Sequence, residues 1–338
     1  LPREASVGFV TGATMAGFVS LAAARSEVLK RAGHDFEAHG LQGAPVIKVF
    51  LSDDVHITNI SALRYIGLGE ANLVRVASDN QGCMRIPDLA AQLEAHPGPK
   101  IIIAQAGHIN SGAFEDFGAI SRLSRHHGAW LHVDGAFGLW ARATRSRFHL
   151  TKDVDLADSW SADGHKWLQI PYDSGFAIVK NKTAHQRAMD ISAEYLNSDP
   201  ADGRNPTHFN PELSRRARGF AAWTAFQSLG RAGIRNLIET HCDYAAQLGH
   251  RLSTVKGLKL LNEVYLNQII VADADLEQTG RILRLADQLN ASGKVFVRPA
   301  HWYGREILRI SITGAEIEGT QTDSLYEAIV EAWEAISS

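Results

Sequence analysis

The first half of the chain alternates short, almost uninterrupted apolar runs with helix-patterned stretches, and this constrains the fold more than any other feature. Val46–Leu51, Leu73–Val76, Lys100–Ala104, Ala129–Val133 and Gly175–Val179 read as strands. Their apolar residues do not alternate with polar ones, as expected of strands covered on both faces. Met15–Arg31, Ile57–Ile66, Ile86–Ala95 and Phe114–His127 read as the intervening helices. Strand followed by helix, repeated, predicts an α/β fold: a mostly parallel sheet sandwiched by helices. Ligands of such sheets bind beyond the carboxyl ends of the strands, so the residues just after each strand are the candidates for chemistry.

The stretch Asn197–Pro211, rich in Asn, Asp, Pro and Gly, reads as a long loop. Pro211–Arg251 follows as helix, interrupted near Gly230 and Gly233. Gln268–Ala272, Glu277–Ala291, Lys294–Arg298, Ile307–Ile312 and Thr322–Ile336 then alternate strand and helix. The expected division is a large domain over 1–210, connecting helices over 211–253, and a smaller C-terminal α/β domain over 254–338.

With 338 residues the chain can bury a sizeable core without covalent staples. Its 34 basic and 37 acidic side chains carry no basic excess of the kind that marks nucleic-acid or acidic-membrane partners. No apolar run reaches the roughly 18 residues needed to span a bilayer. The two cysteines, Cys83 and Cys242, offer neither a disulfide framework nor a paired-Cys zinc site. The expectation is a cytoplasmic protein without a metal site.

Two segments carry the strongest chemical signal. WLHVDGAFG, Trp130 to Gly138, ends an apolar run in Asp134 followed by small residues. ADSWSADGHKWL, Ala157 to Leu168, places Lys166 beside His165. Asp134 alone would read as a turn residue, and Lys166 alone as a surface lysine. Together they suit pyridoxal phosphate (PLP). This electron sink works best with its ring nitrogen protonated, which a carboxylate favours, and it is carried on a nucleophilic lysine amine. FVTGATMAG, Phe9 to Gly17, runs from small residues into a helix, where backbone N–H groups and the Thr14 hydroxyl would meet a phosphate. SDDVHITN, Ser52 to Asn59, places His56 just after a strand, where an imidazole could lie over a flat ring. His132, Asp134 and His165 also leave open a metal-dependent hydrolase, because His-x-Asp on a strand shares one face. Gly67 and Gly69 lack the third glycine of a dinucleotide fingerprint and read as a helix C-terminus.

These segments occur in the order found in the PLP-dependent group II amino acid decarboxylases, of the aspartate aminotransferase fold type I, which the chain resembles over nearly its whole length. AQAGHINSGAFED, Ala104 to Asp116, resembles their central loop; Glu212 to Ile234 resembles the helix closing the large domain; LRISIT, Leu308 to Thr313, resembles a small-domain strand. The resemblance implies Lys166 as the Schiff-base lysine and Asp134 as the partner of the ring nitrogen. It implies Ala13, Thr14 and His165 at the phosphate, Ala136 and His56 on opposite ring faces, and His56 as a second catalytic residue. Ser161 and Asp163 would order the site, and one of Arg215 and Arg216 could contact the loop or a partner subunit. The implied activity is removal of the alpha carboxylate of an amino acid by a homodimer with its site at the subunit boundary. The same cofactor could also serve an aminotransferase, a carbon–carbon lyase or a catalytically silent relative. The sequence departs from the family at Met15–Gly17 after the turn, at His108 and Ile109 after Gly107, and in the absence of Tyr from Asn197–Pro211, where His208 stands and Tyr195 just precedes; no protonating acid is assigned. The resemblance begins within ten residues of Leu1, so the family's amino-terminal segment is expected to be missing.

Overall fold

The computed structural model describes residues 1–191, 203–314, 317 and 319–337. Strand β1 (Ser6–Val10) and helices α1 (Ala13–Arg31) and α2 (Phe36–His39) open the chain. Then come β2 (Lys48–Ser52), α3 (Ile57–Tyr65), β3 (Leu73–Val76), α4 (Ile86–Ala95), β4 (Lys100–Gln105), α5 (Phe117–His126), β5 (Trp130–Asp134), β6 (Ser159–Asp163), β7 (Gly175–Val179) and α6 (Lys182–Met189). These strands form one sheet in the order β1-β7-β6-β5-β4-β2-β3. Neighbours from β3 to β6 run parallel, and β7 runs antiparallel to both β6 and β1. β1 therefore points the same way as β6, and its carboxyl end joins those of the parallel strands.

The uniform apolar runs have the cause expected of them. Along β4, Ile101 and Ile103 enter one buried cluster with Val49, Leu51 and Trp130, while Ile102 and Ala104 enter the other with Phe50, Leu131 and Val133. Side chains of period 2 thus feed a core on each face. Each fully buried Ile or Leu there contributes roughly 2 kcal/mol. Helix α1 covers one face, and its buried Ala22, Ala23 and Ala24 let the backbone lie close to the sheet.

The second half of the chain holds α7 (Arg218–Ser253), β8 (Leu258–Leu260), β9 (Gln268–Asp273), α8 (Arg281–Ala291), β10 (Arg298–Trp302), β11 (Arg305–Ser311) and α9 (Gly319–Ser337). Its strands make a separate antiparallel sheet in the order β10-β11-β9-β8. α7 kinks at Gly230, where φ is +60°. The helix expected from Pro211 starts at Arg218, preceded by a short 3₁₀ turn over Pro206–Phe209. Two further expectations are corrected. The strand placed at Lys294–Arg298 lies instead at Arg298–Trp302. A two-residue turn, Tyr303–Gly304, with φ of +47° and +75°, pairs Trp302 with Arg305 and sets that register. The helix placed from Glu277 begins at Arg281, because Gly280 takes a left-handed conformation just before it. β1 and β6 were absent from the strands read in the sequence; β6, SWSAD, is too polar in sequence to announce itself, yet it is buried throughout.

Candidate active site

Five strand ends converge on one cleft of about 230 Å³. β1 leads to Thr11–Met15, β2 to His56 and Thr58, and β4 to Gln105, Gly107 and Ile109. β5 leads to Asp134, Ala136 and Phe137, and β6 to Asp163, His165 and Lys166. All seven site residues proposed from sequence, Ala13, Thr14, His56, Asp134, Ala136, His165 and Lys166, line this cleft.

At one end, α1 begins without a side-chain cap. Its first N–H groups have no acceptor within the helix. Ala13 N–H is taken by Asp163 Oδ1 at 2.6 Å, while Thr14 and Met15, next in the first turn, border the cleft. The approach is tight. A Cβ on Gly12 would stand 2.8 Å from the His165 ring, and one on Gly175 would stand 2.4 Å from the Gly12 Cα. Only glycine at both positions lets the turn seat against β7.

Asp163 is 1% exposed and ties three pieces together. It accepts Ala13 N–H, pairs with Lys166 Nζ at 2.7 Å, and lies 3.5 Å from His165 Nε2. Lys166 is 30% exposed, with its ammonium 5.2 Å from the centroid of the Phe137 ring. His165 Nδ1 accepts Ser174 N–H at 3.1 Å, which leaves the ring proton on Nε2, facing Asp163. The His165 ring stacks on exposed Tyr172 at 4.1 Å.

Asp134 is oriented from both sides. Oδ2 accepts from Asn59 Nδ2 at 2.7 Å; Oδ1 accepts from Ala136 N–H at 3.2 Å and from Ser161 Oγ at 3.4 Å. Asn59 was missed in the sequence. It stands in the first turn of α3, three residues beyond His56, and is only 3% exposed, but nothing local in the sequence marks it.

His56 caps α3. Its Nδ1 accepts Thr58 N–H at 3.4 Å and lies 2.7 Å from Thr58 Oγ1, and its own N–H donates to Gln105 Oε1 at 3.2 Å. Burial pushes the His56 imidazole below its ordinary range; Asp134 pulls it up, and Lys166, Arg309 and His108 push it down again. Burial therefore favours the neutral imidazole.

Other candidates fall outside the cleft. His108 is 1% exposed in side chain and turns away to Asp54; Ile109 lines the cleft in its place. His132 is fully buried, bound through Nδ1 to Ser159 Oγ at 2.9 Å. Among the described residues no three His, Cys, Asp or Glu side chains form a group able to hold a metal ion. His208 lies 3.5 Å from Asp190, and Arg216 donates to Tyr172 O at 2.8 Å. Tyr195 and residues 197–202 of the expected loop lie outside the described residues.

Residues 3–271 match a family described as the pyridoxal-dependent decarboxylase conserved domain. The chain belongs to this family. Similar proteins include an aromatic-L-amino-acid decarboxylase of Bacillus atrophaeus, 27% identical over 78% of this chain and 54% of the relative. A phenylacetaldehyde synthase of a Rosa hybrid cultivar is 24% identical over 97% of this chain and 66% of the relative. The chain thus spans between about half and two thirds of the length of these relatives. A crystal structure of Oryza sativa TDC with PLP and tryptamine superposes with a TM-score of 0.91, covering 100% of this chain and 73% of that one at 22% identity. That likeness establishes the family's fold here, the helix-sandwiched sheet with its small antiparallel-sheet domain.

Proposed function

We propose that the chain binds PLP in this cleft and releases the alpha carboxylate of an amino acid as carbon dioxide. The observation that carries the reading is the convergence of Lys166, Asp134 and the open first turn of α1 on one cleft. The residues present fit the cofactor. There is an amine for its aldehyde, a fixed carboxylate for its ring nitrogen, and a helix start beside which a Cβ at Gly12 would not fit. Bound PLP would supply an electron sink for the charge left when the carboxylate departs.

The chain's own residues do the rest. Lys166 is the amine that attaches the cofactor, and Asp163 orients it. Asp134, held by Asn59, Ser161 and Ala136 N–H, keeps the proton on the pyridine nitrogen, because an adjacent carboxylate favours the cationic form. Thr14 and Met15 offer first-turn N–H groups, and Thr14 a hydroxyl, to the phosphate, with His165 alongside. His56 and Ala136 would cover opposite faces of the cofactor ring, and the His56 imidazole would stand within reach of the substrate. Arg309 on β11 is a cation in electrostatic reach of His56.

The homodimer belongs to the same reading. Phe220 and Trp223 on α7 are 71% and 57% exposed, and Tyr172, at the rim beside His165, is 73% exposed. A second subunit covering these aromatics would also close the cleft. Among the described residues no helix is long and apolar enough to cross a membrane; we place the protein in the cytoplasm, with a small-molecule amino acid as its partner. The division at 210 and 254 follows the two sheets, whose strands span residues 6–179 and 258–311.

Titrating the protein with PLP should raise a visible absorbance band that Lys166→Ala lacks, and the wild type should release carbon dioxide from an aromatic or acidic amino acid. A band that survives in Lys166→Ala refutes the assignment of the lysine; a wild type that takes up no PLP refutes the whole reading.

A further inference from the structure

The tip of the β10–β11 hairpin reaches the turn that precedes His56. The indole of Trp302, 5% exposed at the end of β10, donates to Asp54 Oδ2 at 2.6 Å. Asp54 lies two residues before His56, in the turn that delivers it. The same carboxylate oxygen is 3.0 Å from His108 Nε2. His108 Nδ1 is occupied as an acceptor, facing the N–H groups of Asn110 and Ser111 at 3.3 and 3.4 Å, so Nε2 carries the proton and donates. Burial raises the Asp54 carboxyl, but the hydrogen bonds from His108 and Trp302 outweigh it and hold Asp54 below the usual range. Tyr303, at the apex, donates to Asp79 O at 2.9 Å and lies 3.0 Å from Ser78 Oγ, which in turn bonds Asp53. Both apex anchors therefore land on the turn before His56 or on the loop packed against it.

His108 stands where the sequence departs from its family, and this arrangement gives the departure a use. We infer that Trp302, Asp54 and His108 form a clamp that positions His56, so that seating of the C-terminal hairpin sets the pose of the imidazole over the cleft. Two donors on one carboxylate leave the Ser52–His56 turn little freedom, and charge-assisted bonds of this kind are about twice as strong as neutral ones. His56 is held from its other side by Gln105 and Thr58. His108 holds the Asp54 carboxylate from a neighbouring loop of the large sheet, and Trp302 ties the same carboxylate to the C-terminal hairpin. The three side chains are positioning residues; none of them lines the cleft.

The purpose assigned to the clamp rests on the PLP reading, but its mechanics do not. Hydrogen–deuterium exchange of the full chain without PLP reads the turn directly. In Trp302→Phe, which keeps the ring and loses the donor, amides 54–59 should exchange about tenfold faster or more, the loss of one hydrogen bond to a charged group. Strands β9 and β11 should keep their wild-type protection. Asp54→Ala, which removes the acceptor of both donors, should exchange at least as fast as Trp302→Phe, and Asp54→Asn, which retains an acceptor oxygen for the indole, should restore most of the protection. With PLP added, the visible circular dichroism of the bound cofactor should change in Trp302→Phe, as the imidazole shifts over the ring. Unchanged exchange at 54–59 in Trp302→Phe overturns the clamp, as does a loss of protection spread evenly through the C-terminal sheet. Failure of the wild type to take up PLP would strike the functional reading alone, since the exchange measurement does not involve the cofactor.

Discussion

Replacing Asp163 by Ala removes a side chain that joins the start of α1 to the Lys166 segment. Three contacts go at once: Lys166 Nζ at 2.7 Å, Ala13 N–H at 2.6 Å and the longer approach of His165 Nε2 at 3.5 Å. Breaking a fully buried ion pair costs about 3–5 kcal/mol. Lys166 is 30% exposed, so water takes back much of that, and its share falls toward ~1 kcal/mol. The Ala13 N–H loses its acceptor, at about 1–3 kcal/mol. The sum is near 3 kcal/mol for Asp163→Ala, and about 1 kcal/mol for Asp163→Asn, whose amide oxygen can still accept from Ala13 while its NH₂ meets the ammonium. An unfolding entropy of about 2.1 cal/mol/K per residue over a chain of this length makes 3 kcal/mol worth roughly 4 °C. Melting of PLP-free protein should show Asp163→Ala lowered by about that much and Asp163→Asn by a third of it. PLP titration should show weaker uptake in the same order. A PLP-free Asp163→Ala protein melting within about 1 °C of wild type, with full PLP uptake, would refute the view that this carboxylate anchors both the turn and the lysine.

Two buried titrating groups give predictions of opposite sign. Burial raises Glu115 to about 8; its Oε2 accepts Met84 N–H at 2.9 Å. Between an unfolded carboxyl near 4.5 and about 8, the native state holds a proton that the unfolded chain has lost, so stability should fall as pH rises through that window. Glu115→Gln should flatten this slope and be more stable than wild type above pH 8, by on the order of a few kcal/mol; denaturant melts at several pH values decide it. His185, bonded to Ser6 Oγ at 2.9 Å, is depressed by burial to about 4. The unfolded ring gains its proton first, so stability present above pH 6.5 is lost as pH falls toward 4. His185→Gln should lose less stability than wild type between pH 6.5 and 4, and equal slopes in that window would refute the assignment.

Much of the fold was legible because burial on both faces leaves its mark locally. β3, β7 and α4 have the residue ranges expected of them, and β4 and β5 shift by a residue or two, since continuous apolar runs need no tertiary information to be read. The residues brought to the cleft were legible for a related reason: in a parallel sheet the residue after each strand must face the carboxyl edge, so a chain order of turn, His, Asp and Lys already implies a shared location. What the sequence left undecided depends on partners distant along the chain. Asn59 on Asp134 and Asp163 on Ala13 are pairings across 75 and 150 positions that no local pattern encodes. β6 is polar in sequence and becomes a strand because β5 and β7 satisfy its backbone. The true place of β10 follows from a turn at Tyr303–Gly304, and that tip reaches Asp54, 248 positions away. His108 had no role that its neighbours in sequence could reveal; its carboxylate, Asp54, comes from the turn after β2, the strand beside β4, 54 positions away.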